Sequence, residues 1–580
     1  MIKTDVLVVG SEGAGARAAI AAHDHGADVL VVTKGRLGKS GATVTAIAGI
    51  AVGGRAICDI LKLPGNAEDS PEAFFEDIVV EGKYINNQEL VGLVVGEGPL
   101  RVKELIDWGM RVKVSEARIP GHRYPRCVTT TGRQIVGALK HRINACNRIR
   151  LIEDTMITDL LTADGHVAGA VGLDLCTGEP VVISARAVVL ATGGGQMVYP
   201  IQTAPEELTG DGLAMAYRAG VELIDMEMIQ FHPCNFITPP AWKGLGFPFT
   251  IGPGGGLRNT WLLNKWGERF MEKWDPKRME NTTRDILSVA IMNEVLEGRG
   301  SPNGGVYLSL SHLPANLIDD FGQWFHLVRP DWHYGGFKFG QLVEEIKQGS
   351  AMEVVPACHF FMGGIRIGRT CETSLPGLFA VGEVAGGGHG ANRLSDVALT
   401  EVLVHGAIGG SAAAGFAGEC QPVPAEDQQV KELTEKIMRP LARHQGPGPY
   451  EVRKRIQGIA WAKAGVVRTG SSLAEAIAEV RSLEEGAMPQ LCCRSKDRVY
   501  NREWIEAIQL ENLLTVLECI ALSALARQES RGAHFRRDFP QMDNENHLKN
   551  VVLRRDNGRT TVRCTPVALT RCAPPAGVGN

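Results

Sequence analysis

The sequence predicts an α/β protein built around a Rossmann-like dinucleotide-binding domain, and three stretches carry this prediction. The chain starts with an apolar strand, a glycine turn, an alanine-rich helix and a second apolar strand, in "DVLVVGSEGAGARAAIAAHDHGADVLVVTKG". Two later apolar strands also run into glycine-rich turns, in "ARAVVLATGGG" and "LPGLFAVGEVAGGGHGANRLSDVAL". These three strand ends suit one long cofactor, with its adenine end at the first turn and its ring system at the last.

Length and composition favour an enzyme that acts on small molecules. A chain of 580 residues exceeds what one hydrophobic core usually supports, so we expect several domains. The net charge of -4 and the absence of basic runs interleaved with aromatic residues argue against nucleic-acid or membrane-surface binding. No apolar run approaches the length of a membrane span, and the start "MIKTDVLVVG" lacks a leader pattern, so we expect a cytoplasmic protein.

The cysteines indicate neither disulfides nor a metal centre in this chain. There are 13 of them, an odd number, and none forms a C-x-x-C pair. We therefore predict no metal site, and any iron–sulfur cluster that works with this protein is expected on another chain.

The first glycine turn departs from the G-x-G-x-x-G pattern of dinucleotide-binding proteins. Its three pattern positions hold Gly10, Glu12 and Gly15, so a carboxylate replaces the glycine that lets the backbone approach the phosphates. We expect Gly13 to re-route the turn and Glu12 to point to solvent. The second strand ends at Thr33, where a hydroxyl replaces the more usual ribose-binding carboxylate.

Four blocks resemble one family along nearly the whole chain. They are "TGDGLAMAYRAGVELIDMEMIQFHP", "HFFMGGI", "GEVAGGGHGANRL" and "ARQESRGAHFRRDFP", and together they resemble the flavoprotein subunit of succinate dehydrogenase and fumarate reductase. The same superfamily includes L-aspartate oxidase. The resemblance implies an FAD-binding domain at 1–235 and 350–425, an α+β capping domain at 236–349, a helical domain at 426–540 and a C-terminal segment at 541–580.

The resemblance also implies roles for individual residues. Substrate carboxylates would be held by His232 in "QFHP", His359 in "HFFMGG" and Arg393 in "GANRL", since an arginine fork suits oxyanion recognition. Glu383 would contact the flavin side chain. The full set of implied cofactor-binding residues is Gly10, Glu12, Gly13, Ala14, Gly15, Thr33, Lys34, Ser40, Gly41, Ala42, Thr43, Gly49, Ala191, Thr192, Gly193, Thr209, Asp211, Glu383, Arg393, Ala398 and Leu399.

Two departures from the family pattern bear on the chemistry. The capping domain of fumarate reductases carries T-E-x-x-R-G-E-G-G before a strand like "WLLNKWGERFM", but an ungapped count places Gly252, Pro253 and Gly256 at the T, E and R positions. The usual proton-donating apparatus is therefore expected to be absent, and Arg258 is the neighbouring candidate to replace it. Ala42 stands where respiratory members carry the histidine that bonds FAD, so we expect FAD to be held without a covalent bond.

The sequence leaves several functions open. The first is an FAD-dependent oxidoreductase that exchanges a hydride with an anionic, carboxylate-bearing substrate and shares electrons with an iron–sulfur partner subunit. The second is a relay flavoprotein that keeps FAD but has lost the dicarboxylate reaction, and a soluble enzyme like L-aspartate oxidase is a further alternative. The three retained substrate-binding residues favour the first, and the glycine-rich loop from Gly252 to Gly256 favours the second.

Overall fold

The structure is a computed structural model, and it describes residues 1–246, 260–320, 338–556 and 558–575. The described residues contain these α-helices: Gly13–Asp24, Ala42–Thr45, Gly54–Asp59, Pro71–Glu81, Gln88–Asp107, Gly132–Asn144, Asp211–Arg218, Met271–Trp274, Arg284–Leu296, Phe339–Lys347, Ala398–Glu419, Asp427–Ala442, Pro449–Lys463, Gly470–Ser482 and Arg502–Ala526.

The strands are numbered in chain order. They are β1 (Ile2–Val9), β2 (Val29–Val32), β3 (Ile47–Ala51), β4 (Lys113–Val114), β5 (Cys127–Thr131), β6 (Ile149–Ile152), β7 (Thr155–Ala163), β8 (His166–Asp174), β9 (Pro180–Leu190), β10 (Leu223–Ile224), β11 (Ile229–Phe236), β12 (Trp261–Leu263), β13 (Val306–Ser309), β14 (Met352–Phe361), β15 (Gly364–Arg366), β16 (Leu378–Ala380), β17 (Ala385–Gly386), β18 (Val467–Arg468), β19 (Phe535–Arg536), β20 (Lys549–Asp556) and β21 (Arg559–Pro566).

A seven-stranded sheet forms the centre of the molecule, with the order β6-β2-β1-β9-β8-β7 and β16 added beside β9. Strands β2, β1, β9 and β16 run parallel, and Val9 lies opposite Leu190, which lies opposite Ala380. The carboxyl ends of three neighbouring strands therefore meet at one edge of the sheet. This places the three glycine-rich turns of the sequence side by side.

Two helices pack closely behind this edge because glycines remove side chains from their contact. A Cβ on Gly406 would lie 2.7 Å from the carbonyl oxygen of Ala14, and one on Gly410 would lie 2.2 Å from that of Ala18. The helix Ala398–Glu419 thus rests directly on the helix Gly13–Asp24. Its first residues, Ala398 and Leu399, lie at the same end of the sheet as the first glycine turn.

A second layer contributes the other wall of the site. Strands β11, β14, β13 and β12 form an antiparallel sheet in that order. The helix Arg284–Leu296 packs on it through apolar residues, and the Ser288 hydroxyl donates to the carbonyl oxygen of Phe231 at 3.2 Å. The first residue of that helix is therefore held above β11.

The remaining sheets are small. Strands β3, β5 and β4 form an antiparallel sheet, β18 pairs with β19, and the hairpin β20–β21 joins β10, β15 and β17 in a five-stranded sheet. The C-terminal segment therefore completes a sheet begun by residues near the middle of the chain. The division of the chain at 235, 350, 425 and 540 stays a prediction.

One helix among the described residues, Arg502–Ala526, is long and apolar enough to cross a membrane by length and composition. Of its most apolar window, 61% is buried inside the protein. Trp504, Leu513 and Leu517 are among its core residues. A buried core helix of a soluble domain has the same composition, so this helix is weak evidence for a span.

Candidate active site

A cavity of about 2170 Å³ runs along the carboxyl edge of the central sheet. Of the cofactor residues implied by sequence, all except Gly15 and Thr209 line it. His232, His359 and Arg393 line its far end, together with Gln230 and Arg284. The structure thus joins the glycine turns and the expected substrate residues in one continuous space.

The first glycine turn has the tight backbone that a pyrophosphate site requires. Gly10 has φ 106°, and a Cβ there would lie 2.3 Å from the carbonyl oxygen of Ala191. A Cβ on Gly15 would lie 2.0 Å from the carbonyl oxygen of Gly10, so Gly15 serves the packing of the turn and does not reach the cavity. The turn leads into the N-terminus of the helix Gly13–Asp24, where backbone N–H groups favour an anion.

Glu12 does not point to solvent, which corrects the expectation from sequence. Its Oε2 accepts a hydrogen bond from the backbone N–H of Val44 at 3.2 Å, and its stem lies against Gly41. The side chain is turned into the cavity wall because Gly41 leaves room for it: a Cβ there would lie 2.3 Å from Glu12 Cγ. Burial raises the pKa of this carboxyl to about 7.

Several buried polar atoms along the cavity have no hydrogen-bond partner among the described residues. They include the hydroxyl oxygens of Ser11 and Thr192, the Gln196 Oε1 and the Glu12 Oε1. Buried polar atoms are normally satisfied, so these atoms fit a cavity that takes a large polar ligand. The chain's residues therefore fit FAD.

Lys34, which follows the end of β2, links this strand end to the segment 209–211 by hydrogen bonds. Lys34 Nζ donates to Asp211 Oδ2 at 2.6 Å and to Thr209 Oγ1 at 2.9 Å. Asp211 also accepts a hydrogen bond from Asn512 Nδ2 at 2.9 Å. Thr209 therefore supports the wall through Lys34 and Asp211, while Thr33 is buried beside them.

Glu383 sits where the β16 turn meets the far end of the cavity. Its Oε1 accepts hydrogen bonds from the Gln196 side chain at 2.5 Å and from the backbone N–H of Phe361 at 2.9 Å. Burial raises the pKa of Glu383 to about 7. The Gln196 amide also donates to the carbonyl oxygen of His359, at 3.2 Å, which links this acid to the substrate end of the cavity.

The two predicted histidines come from neighbouring strands. His232 lies on β11 and His359 on β14, and their ring centroids are 5.5 Å apart. The Nδ1 of His359 lies 2.7 Å from the Thr203 hydroxyl. Burial, and then the positive charge of Arg284, holds the pKa of both histidines well below the usual range. Both rings are therefore neutral at neutral pH.

Two arginines share one neutral acceptor. Arg284 Nη1 and Arg393 Nη2 each donate to the Gln230 amide oxygen at 2.9 Å. The Arg393 guanidinium also lies 4.7 Å from the centre of the Phe360 ring. Burial, and then the charge of Arg393, lowers the pKa of Arg284 to about 9, and burial likewise lowers the pKa of Arg393.

The amide of Gln230 is itself held in place. Its nitrogen donates to Asn392 Oδ1 and to the carbonyl oxygen of Arg393, both at 3.0 Å. Asn392 in turn donates to the buried carboxyl of Glu81 at 2.5 Å. These bonds fix which end of the Gln230 amide faces the guanidinium groups.

Arg284 was not predicted from the sequence. The family pattern drew attention to a replacement cation only in the loop before β12, and this loop, with Arg258, lies outside the described residues. The pocket nevertheless contains a second guanidinium, that of Arg284, beside the guanidinium of Arg393. Its sequence context, "TTRDILSVAI", is an ordinary helix start, so only the threonines before a helix N-terminus could have drawn attention to it.

A dinucleotide cavity that ends in two guanidinium groups and two neutral imidazoles defines the class of protein, an FAD-dependent oxidoreductase. Residues 5–399 match the FAD binding domain family, and residues 453–578 match the fumarate reductase flavoprotein C-terminal family. The chain belongs to the superfamily of the flavoprotein subunits of succinate dehydrogenase and fumarate reductase, as its motifs indicated.

Known proteins resemble the chain over nearly all of its length. It is 33% identical to the fumarate reductase flavoprotein subunit of Mycobacterium tuberculosis, covering 98% of each. It is 31% identical to the fumarate reductase flavoprotein subunit of Escherichia coli, covering 99% of this chain and 95% of that protein. The structure of Mycobacterium smegmatis Sdh1 in complex with UQ1 matches with a TM-score of 0.86 and 34% identity, covering 98% of this chain and 95% of that one.

Proposed function

We propose that the protein reduces a carbon–carbon double bond conjugated to a carboxylate, with Arg284 as the proton donor. The observation that carries this proposal is the pair of guanidinium groups, Arg284 and Arg393, that share the Gln230 oxygen beside two neutral histidines. The opposite direction, oxidation of the saturated acid, uses the same groups, and the low pKa of Arg284 favours its role in either direction.

Bound FAD supplies hydride exchange with a carbon of the substrate. The chain would hold it at the Gly10 turn, along the wall formed by Lys34 and Asp211, and near Glu383. Ala42, which the family pattern aligns with the flavin-linking histidine, lines the cavity. The described lining residues include no cysteine or tyrosine, and their only histidines are His232 and His359. These features support FAD held without a covalent bond.

The carboxylate of the substrate would be bound by Arg393 and His359. Arg393 is only 6% exposed, so its hydrogen bonds to an oxyanion act with little competition from water. A neutral imidazole donates one further hydrogen bond, and the Thr203 contact orients the ring of His359. His232 stands beside it and completes the anion pocket.

Proton transfer is assigned to Arg284 by comparison of pKa values. The histidines have little tendency to carry a proton at neutral pH, so they are poor acids there. The pKa of Arg284, about 9, is far below that of an ordinary guanidinium and nearer to the working pH. Arg284 would give a proton to the carbon next to the one that receives the hydride and would regain it from solvent.

An iron–sulfur partner would deliver the electrons. All 13 cysteines of the chain are free and none is paired, and they are scattered over the fold, so the chain itself offers no cluster ligands of the usual kind. Partner subunits of this kind would place the protein in a cytoplasmic assembly that can attach to a membrane. Mixing the oxidised protein with a reduced ferredoxin-type protein and recording flavin bleaching tests this.

The reaction is tested with the purified holoprotein. The flavin is photoreduced without oxygen, fumarate and larger unsaturated acids are added one at a time, and the visible spectrum is followed. Reoxidation by at least one unsaturated acid supports the proposal. A flavin that reoxidises only with dyes or a partner protein would support a relay function instead. Bleaching of the oxidised flavin by L-aspartate would favour an L-aspartate oxidase.

A further inference from the structure

The glycine turn carries a carboxylic acid where phosphate binding calls for a bare backbone. Glu12 is the residue before the helix Gly13–Asp24, at the position where an N-cap side chain normally bonds the first N–H groups of a helix. Its side chain makes no such cap hydrogen bond. The anion-attracting end of the helix is therefore left to the cofactor, with the Glu12 carboxyl beside it.

Hydrogen bonds from Val44 and from the hydroxyl and backbone of Thr43 hold this carboxyl. Oε2 accepts from the backbone N–H of Val44, and the backbone N–H of Gly13 donates to the Thr43 hydroxyl at 3.3 Å. Together these bonds tie the turn to the segment 41–44. The other oxygen, Oε1, is buried in the cavity wall and has no hydrogen-bond partner among the described residues.

Burial disfavours the ionised form of Glu12 and outweighs the hydrogen bonds from Val44 and Thr43, which favour that form. Burial is the largest cause, and the carboxylate of Glu207, which lines the same cavity, acts in the same direction. The segment 41–45 contributes no titratable group, and Lys34, at the adjoining strand end, is bonded to Asp211. Two further basic residues, Lys39 and Arg133, also line the cavity.

We propose that Glu12 binds FAD as the neutral acid, with Oε1 donating its proton to an oxygen of the pyrophosphate. An ionised Glu12 would place a negative charge against the phosphates, whereas a protonated one supplies a donor that a glycine lacks. Oε2 keeps its bond to Val44 in either state, so it is Oε1 that carries the proton. The retention of FAD would then depend on pH in a way set by a single residue.

The direction in which pH changes the affinity for FAD follows from the two protonation states of Glu12. Because only the protonated form donates to the phosphate, binding of FAD raises the pKa of Glu12 above its value in the FAD-free protein. That value is about 7, so affinity is highest below it and falls as the pH rises through it. Between about pH 6 and pH 8.5 we expect the dissociation constant to rise at least about tenfold.

The test measures FAD release from the holoprotein by flavin fluorescence after dilution, over this pH range. Glu12→Gln keeps a donor but cannot ionise, so it should hold FAD with the same affinity at every pH. Glu12→Gly should also lose the pH dependence. The matched control is Glu207→Gln, which removes an acid from the same cavity and should keep the pH dependence, displaced to lower pH because Glu207 helps to raise the pKa of Glu12.

A second probe locates the contact. ADP carries the pyrophosphate without the flavin ring, so its displacement of FAD should show the same dependence on Glu12 and pH. Affinity that is constant or increases with pH in the native protein would overturn the proposal. An unchanged pH dependence in Glu12→Gln would also overturn it, and so would a pH dependence seen with FAD but not with ADP. Flavin that stays with the protein after acid precipitation would overturn it as well. None of these readings requires turnover, so they are independent of the proposed reaction.

Discussion

Two buried clusters of arginine in this protein differ in the groups that bond their guanidiniums: an amide oxygen in one and carboxylates in the other. In the substrate pocket, Arg284 and Arg393 share the uncharged oxygen of Gln230, and the pKa of each is lowered by burial. In the ion-paired cluster, defined here as Asp225, Glu227, Arg527, Glu529 and Arg531, each arginine meets carboxylates directly.

The ion-paired cluster shows what full compensation does. Arg527 lies 2.6 Å from Glu227, 3.0 Å from Glu529 and 3.3 Å from Asp225. Burial alone would lower the pKa of Arg527, but the three carboxylates outweigh it and raise the pKa. The comparison teaches that a buried arginine held by carboxylates serves the fold, whereas Arg393, which donates to an amide oxygen, lines the cavity where a ligand can meet its charge.

The largest effect is expected in the pocket. Arg284→Gln removes the proposed acid and should slow reoxidation of the photoreduced flavin by fumarate about 10²- to 10⁴-fold, with FAD still bound. The measurement is stopped-flow absorbance of the holoprotein. Arg258→Gln is the matched control and should change the rate little. If the Arg258 variant loses the activity and the Arg284 variant keeps it, the two arginines have been assigned the wrong way round.

A substitution in the ion-paired cluster should change the stability of the protein and leave its reaction unchanged. Glu227→Gln removes one carboxylate from a buried network and should lower the free energy of unfolding by about 3–5 kcal/mol. The rate of flavin reoxidation per folded molecule should not change, because this cluster is not part of the cavity lining. Urea unfolding followed by circular dichroism measures the first quantity. A variant as stable as the native protein, or one with slowed reoxidation, would show that the two clusters do not divide stability and reactivity between them.

A smaller change should make the pocket resemble the ion-paired cluster. Gln230→Glu places a carboxylate between the two guanidinium groups, which raises the pKa of Arg284 and makes it a weaker acid. Reoxidation should become about tenfold slower, and its dependence on pH should shift to higher pH. Gln230→Met, which has similar volume and no charge, should slow the reaction without that upward shift. Equal pH profiles for the two variants would show that Gln230 does not tune Arg284.

Much of the fold could be predicted because its signals are local. The run Val6 to Val9, the following glycines and the alanine-rich helix specify a strand, turn and helix without knowledge of distant residues. The apolar residues Trp504, Leu513 and Leu517 recur at helical spacing in a stretch without glycine or proline, which likewise specifies a packed helix, and the structure has one at Arg502–Ala526. The convergence of three glycine turns followed from parallel strand pairing.

The chemistry of the pocket was harder to predict because it depends on tertiary contacts. Arg284 becomes distinctive only when its helix packs on β11 and brings it to Gln230. Glu12 was placed wrongly because its position depends on the room left by Gly41, which touches it in the folded protein but is distant from it in the sequence. His232, His359 and Arg393 could be predicted as cavity residues because they lie in recognisable blocks, and all three line the cavity.

The most direct test of the account is the pH dependence of flavin reoxidation by fumarate in the native holoprotein. A proton donor works only while protonated, so the rate should be steady below the pKa of Arg284 and should fall as the pH rises through about 9. Excess FAD is present throughout, and circular dichroism and flavin absorbance at each pH check that the protein stays folded and keeps its flavin. A rate that stays constant or increases through this range would contradict the assignment of Arg284 as the acid.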